Sequence, residues 1–128
     1  MTAPRFETGP RAAGPLVRGF SGRGFQIDGT LYEGVLLTPR AAAAWDAPAL
    51  AALEPAHVAA LLALEPRPEF LILGTGAAMA FPPRAFIAAL EASEIGVEAM
   101  DSRAAARTWG LLRGEGRWIA AALMPLEK

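Results

Sequence analysis

The sequence predicts an α/β fold. The expectation is one compact three-layer domain with a mixed central sheet, containing a parallel βαβαβ unit over about residues 69–124 and preceded by an N-terminal antiparallel hairpin. Three observations carry it. Phe70-Leu71-Ile72-Leu73 is a continuous apolar run ended by Gly74, the pattern of a strand buried on both faces, which belongs to parallel sheets. Two helical stretches then alternate with two further strand-like ones, and right-handed crossovers turn that order into three parallel strands. Asp28-Gly29 separates the alternating segments Phe25-Gln26-Ile27 and Thr30-Leu31-Tyr32, the spacing of a hairpin whose two turn residues need positive φ.

Taken in order, Met1 to Pro15 hold three prolines and two glycines with few large apolar groups, and read as a flexible arm. The domain is placed at residues 16–128. No apolar core follows the start, so the arm is not a signal peptide. Val35, Leu36 and Leu37 are expected to extend the second hairpin strand until Thr38-Pro39 stops it. Ala41 to Ala52 is either a loose helical segment or a covering loop anchored by Trp45, since Pro48 opposes one continuous helix. Glu54-Pro55 opens a firmer helix through Leu64, with Val58, Leu61 and Leu62 on its apolar side. Pro82-Pro83 opens a helix carrying Phe86, Ile87 and Leu90. Gly96 leads into the strand Val97-Glu98-Ala99-Met100. Asp101 or Ser102 caps the next helix, which ends at Gly114 or Gly116, and Trp118 to Met124 closes the fold. The hairpin is expected to add antiparallel strands to the parallel unit.

Composition excludes several function classes. A chain of 128 residues with 53% hydrophobic and 20% charged residues is one globular domain with a real core. The formal net charge of −1 leaves no basic excess for nucleic acid. The absence of cysteine removes a disulfide scaffold, a thiolate nucleophile and a cysteine zinc site, and fits a reducing cytoplasm. No apolar run reaches the roughly 20 residues of a membrane helix. Eleven of the twelve basic residues are arginine, so an arginine cluster here says less about anion recognition than it would in a lysine-rich chain.

Two constellations remain. Gly74-Thr75-Gly76 follows the buried strand and precedes a helix, where open α/β sheets place ligands. The third glycine of a dinucleotide fingerprint is missing, Met79 standing in its place, and Pro82-Pro83 delays the helix. The glycines serve either a sharp turn or a small-ligand site. Asp101, Arg103, Arg107, Thr108, Glu115 and Arg117 form the densest polar group of this half. Arg103 and Arg107 share a helix face and are expected to share Glu115, Asp101 or Glu98, or to await an anionic partner. No nucleophile and base stand together, so no catalytic residue, cofactor or metal is assigned. His57, the one histidine, reads as a partly exposed helix residue. Trp109 and Trp118 are read as core.

Gly24-Phe25-Gln26-Ile27-Asp28-Gly29, Tyr32-Glu33-Gly34, Leu73-Gly74-Thr75-Gly76, Gly96-Val97-Glu98-Ala99-Met100-Asp101, Ala105-Ala106-Arg107-Thr108 and Glu115-Gly116-Arg117-Trp118-Ile119-Ala120-Ala121-Ala122-Leu123 together resemble one family. It is the small domain-of-unknown-function family that includes the mitochondrial respiratory complex I assembly factor three and its bacterial and archaeal relatives. The resemblance spans Leu16 to Leu123 and implies a compact α/β fold and no known reaction. It implies a non-enzymatic protein-interaction or assembly factor, with respiratory-complex subunits or another assembly factor as partners and a cytoplasmic location, peripheral to the inner membrane through such a partner. Self-association stays open. The alternative is a small-molecule, nucleotide or anion binder using Gly74 to Gly76 and the Asp101/Arg107 helix start. Relatives commonly carry Cys, Arg, Thr, Tyr and Asn where this chain has Ala106, Arg107, Thr108, Trp109 and Gly110, so chemistry through that thiol or amide is absent here. Gly74, Thr75, Gly76, Asp101, Arg107, Thr108, Glu115 and Arg117 are the candidate binding surface.

Overall fold

A computed structural model describes residues 14–127. Of the arm expected over residues 1–15, the first thirteen therefore lie outside the described residues. Pro15 is buried, and its carbonyl accepts a 2.9 Å hydrogen bond from the Trp109 indole N–H. The elements are β1 (Val17–Ser21), β2 (Gly24–Ile27), β3 (Thr30–Tyr32), β4 (Val35–Leu37), β5 (Ala42–Ala44), two 3-10 turns (Leu50–Ala52 and Pro55–Val58), α1 (Ala59–Leu62), β6 (Phe70–Gly74), α2 (Arg84–Ala92), β7 (Gly96–Met100), α3 (Ser102–Gly114) and β8 (Ala120–Leu123).

The central sheet has five strands in the order β5-β4-β8-β6-β7. β6 pairs in parallel with both β7 and β8, so the parallel unit forms as the sequence predicts. Ile72 and Ala121 join one core, with Val35 and Leu37 of β4 and Ala105 and Trp109 of α3. Leu71, Leu73, Ala120 and Ala122 alternate with them and join the other, under Phe86 and Leu90 of α2. That period of two places a helical layer on each face. Ala120, Ala121 and Ala122 are fully buried, and their small side chains bring both layers close to β8.

The hairpin forms as predicted. Ile27 pairs with Thr30 across Asp28 and Gly29, whose φ values are 51° and 82°. Its destination differs from the expectation. β1, β2 and β3 make a separate three-stranded antiparallel sheet, which contributes Phe25 and Ile27 to the core under α3. Val35–Leu37 do not continue β3; they pair antiparallel with β8 and with β5. The reason is burial: Val35 and Leu37 face one core while Leu36 packs against the other, which requires a sheet covered on both sides. Gly34 permits the crossing, because a Cβ there would lie 2.5 Å from the Trp45 carbonyl oxygen.

The alanine-rich stretch is strand first and covering loop afterwards. Thr38 Oγ1 accepts from the backbone N–H groups of Arg40 and Ala41, and this turn folds Ala42–Ala44 back along β4. Trp45 then anchors the loop, its indole donating 2.9 Å to the His57 carbonyl. The helix expected from Glu54 to Leu64 is shorter, one 3-10 turn leading into α1. His57 helps to start it, Nδ1 accepting from the Glu54 N–H.

Candidate functional site

The predicted site residues fall into three places on the domain. At the carboxyl end of β6 the chain turns on Gly74, Thr75 and Gly76. A Cβ at Gly74 would lie 2.7 Å from Ser102 Oγ and 3.0 Å from Ser102 Cα, and Gly76 has φ +104°. Ser102 is fully buried. Its hydroxyl accepts from the Gly76 N–H at 2.9 Å and donates to the Met124 carbonyl at 2.7 Å. Its own N–H donates to the Gly76 carbonyl, and the Met124 N–H donates to the Gly74 carbonyl. One serine therefore ties together the ends of β6 and β8 and the start of α3. The Thr75 hydroxyl is engaged as well, with the Ala78 and Met100 carbonyls and the Ala80 N–H. The polar groups of the glycine loop thus bind the protein itself. Beside the loop opens a cleft of about 760 Å³, lined by Thr75, Gly76, Ala78, Leu50, Met124 and Pro125 among others.

Asp101 closes this end. Its carboxylate accepts from the Ala104 N–H at 2.9 Å, capping α3 where the helix dipole favours negative charge. Ser102 is the residue sequence reasoning missed as a tie, having been read only as a cap candidate. Its signal is a hydroxyl next to an N-cap opposite a glycine, which becomes readable once β6 and α3 are known to touch.

The second place is the outward face of α3. Asp101 and Arg117 flank a helix of thirteen residues, about 20 Å long. Arg103, Arg107 and Leu111 follow one another at four-residue spacing on this helix, and all three are exposed. Arg103 lies over the Phe20 ring of β1 at 5.6 Å. Arg107 makes no hydrogen bond or ion pair among the described residues, so the expected sharing of Glu115, Asp101 or Glu98 does not occur. Leu111 is 65% exposed. Thr108 is half-buried on the helix flank.

The third place is the amino end of β6. Arg117 donates two hydrogen bonds to Glu69 Oε1, at 3.0 and 2.7 Å, and the Trp118 N–H reaches Oε2 at 3.2 Å. The Arg117 guanidinium, helped by that N–H, holds the Glu69 carboxyl below its ordinary range, and Glu69 in turn raises Arg117. This pair ties the start of β6 to the approach to β8. Glu115 is exposed beside it. The Trp118 indole donates to the Pro66 carbonyl, and Arg40 lies over its ring at 4.9 Å. The candidate residues accordingly form a structural knot at one end, an exposed ridge in the middle and an ion pair at the other end. Among the described residues no three His, Cys, Asp or Glu side chains gather to hold a metal, and no helix is long and apolar enough to cross a membrane.

Comparison with known proteins agrees with this fold. NADH dehydrogenase [ubiquinone] 1 alpha subcomplex assembly factor 3 of Danio rerio is 32% identical over 115 residues, covering 89% of this chain; the chain spans 66% of that protein's length. An uncharacterized protein of Rhodobacter capsulatus is 34% identical over 119 residues, with 91% of this chain and 90% of that protein covered. A crystal structure from Bordetella parapertussis superposes with a TM-score of 0.80 at 28% identity, covering 91% of this chain and 99% of that one. A Mth938-like domain from Bordetella pertussis gives 0.78 at 26% identity, covering 98% and 94%. The family described as proteins of unknown function (DUF498/DUF598) matches residues 17–124, and the chain belongs to it.

Proposed function

We propose that this protein is a non-enzymatic interaction or assembly factor that receives a protein partner on the outward face of α3. The observation that carries the reading is Arg107, exposed and without an intramolecular partner among the described residues, one turn from the 65% exposed Leu111. An apolar side chain beside one uncommitted guanidinium group suits a partner surface that is acidic and apolar together. The names of the zebrafish relative and of a Drosophila melanogaster protein 29% identical over 117 residues, both complex I assembly factors, support that class of role. On this reading the partner is a respiratory-complex subunit or a second assembly factor, and the protein works in the cytoplasm, reaching the inner membrane only through that partner.

The test is affinity capture of the tagged protein from its own host, with Arg107→Ala and Leu111→Ser as matched variants and mass spectrometry of the bound proteins. Respiratory-complex subunits or an assembly factor recovered by the parent and lost with both variants, at unchanged thermal midpoints, is the expected result. Equal recovery of those proteins by all three would remove the α3 surface from the reading.

A second reading rests on the cleft of about 760 Å³ beside Gly76, whose size suits a small molecule. A bound ligand would raise the thermal midpoint. A flat response to nucleotides, flavins and organic anions disposes of it.

A further inference from the structure

We propose that a second copy of this chain binds on α2, across a two-fold axis passing between Ile87 and Ala88. This surface lies on the sheet face opposite α3 and goes beyond the proposed function.

α2 covers the core with Phe86 and Leu90 and turns Arg84, Ala88 and Glu91 to solvent. Phe81 stands immediately before it, 83% exposed, and with Pro82 forms one wall of a groove of about 470 Å³ floored by Arg84, Ile87, Ala88 and Glu91. A phenylalanine so exposed beside a groove marks a contact surface.

The charges say what the contact is. Neither Arg84 nor Glu91 makes an ion pair among the described residues. Both oppose the helix dipole, since the arginine is the first helical residue and the glutamate lies in the last turn. An antiparallel α2 from a second copy reverses that mismatch. It brings Glu91 of the partner to the positive end of the helix, beside Arg84, and Arg84 of the partner to the negative end, beside Glu91. The two charges are seven residues apart, two helical turns, with Ile87 and Ala88 midway between them. The face is thus complementary to itself, as a closed two-fold interface requires. Ala88 allows close approach at the axis. Phe81, three residues before Arg84, is carried to the far end of the partner's helix, where a second groove of about 410 Å³ opens between Leu62, Leu64, Pro66 and Ile95. A contact built from one short helix and a loop is small, so self-association in the micromolar range is expected.

Sedimentation equilibrium from about 1 µM to 1 mM, in low salt, tests this. The parent is expected to dimerise reversibly. Arg84→Glu alone and Glu91→Arg alone each set like charges against each other twice and weaken dimerisation roughly 10- to 100-fold. An equimolar mixture of the two single variants restores both attractions and is expected to form a heterodimer that neither makes alone. Phe81→Ser weakens the parent dimer. Circular dichroism confirms that the exposed substitutions leave each chain folded. A parent that stays monomeric throughout, a dimer indifferent to Arg84→Glu, or variants that fail to recover on mixing overturns the proposal.

Discussion

Ser102→Ala removes one oxygen from the inside of the domain and so tests the knot at the carboxyl end of the parallel strands. Ser102 is fully buried, and its hydroxyl satisfies the Gly76 N–H and the Met124 carbonyl. Alanine leaves both groups without that partner. An unsatisfied buried donor or acceptor costs about 1–3 kcal/mol, and removing the hydroxyl returns part of its own desolvation. The expected net loss is about 2–4 kcal/mol, equivalent to a fall in thermal midpoint of roughly 6–15 °C for a domain of this size. Urea unfolding followed by tryptophan emission and by circular dichroism measures it, with Ser93→Ala, exposed at the end of α2, as the control expected to stay within about 0.5 kcal/mol of the parent. A Ser102→Ala midpoint indistinguishable from that control would refute the reasoning. Gly74→Ala supplies the second arm of a double-mutant cycle. Its Cβ meets Ser102 Oγ at 2.7 Å, so it costs about 1–3 kcal/mol in the parent and less once that oxygen is gone.

Two further changes probe other parts of the fold. Gly110→Ala fills a helical position of α3 where an added Cβ meets nothing within 4 Å, and should stabilise the protein by about 1 kcal/mol, read as a higher urea midpoint; a destabilised variant would contradict the helical geometry. Glu69→Gln tests the Arg117 pair through pH. Because Arg117 and the Trp118 N–H depress the Glu69 carboxyl in the folded state, its stabilisation is present above the ordinary carboxylate range and is lost as pH falls through the folded-state value. The variant should melt below the parent at pH 7 and together with it in strongly acid solution. A deficit of the same size at both ends of the titration would mean that charge is not what Glu69 contributes.

Local pattern sufficed wherever one segment's neighbours in the chain are also its neighbours in space. The Asp28-Gly29 hairpin and the α3 cap at Asp101 are of that kind. The parallel unit followed too, because crossover handedness leaves few ways to assemble it. Pattern failed at Val35–Leu37. Their short apolar run suits either an extension of β3 or a strand of another sheet, and the packing of Val35 and Leu37 into one core with Leu36 against the other decides for the second. It failed also over Ala42–Ala44, where helix propensity loses to pairing with β4.

The candidate site divides along the same line. That Gly74 and Gly76 end a strand and that Asp101 starts a helix was legible in residue order. That the glycine loop spends its polar groups on Ser102 and Met124 was not, since Ser102 lies 26 residues along the chain from Gly76 and Met124 a further 22 beyond Ser102. Arg107 and Arg117 looked alike as members of one arginine-rich block, yet α3 sets them on different surfaces, one exposed without a partner among the described residues and one bound to Glu69. By itself the sequence determined the class of fold, the order of elements and the turn chemistry, because burial periodicity and φ preferences act over a few residues. Tertiary structure alone decided which polar groups are consumed by the fold and which are left exposed. That distinction depends on hydrogen-bond geometry across β6, α3 and β8, which no single segment contains.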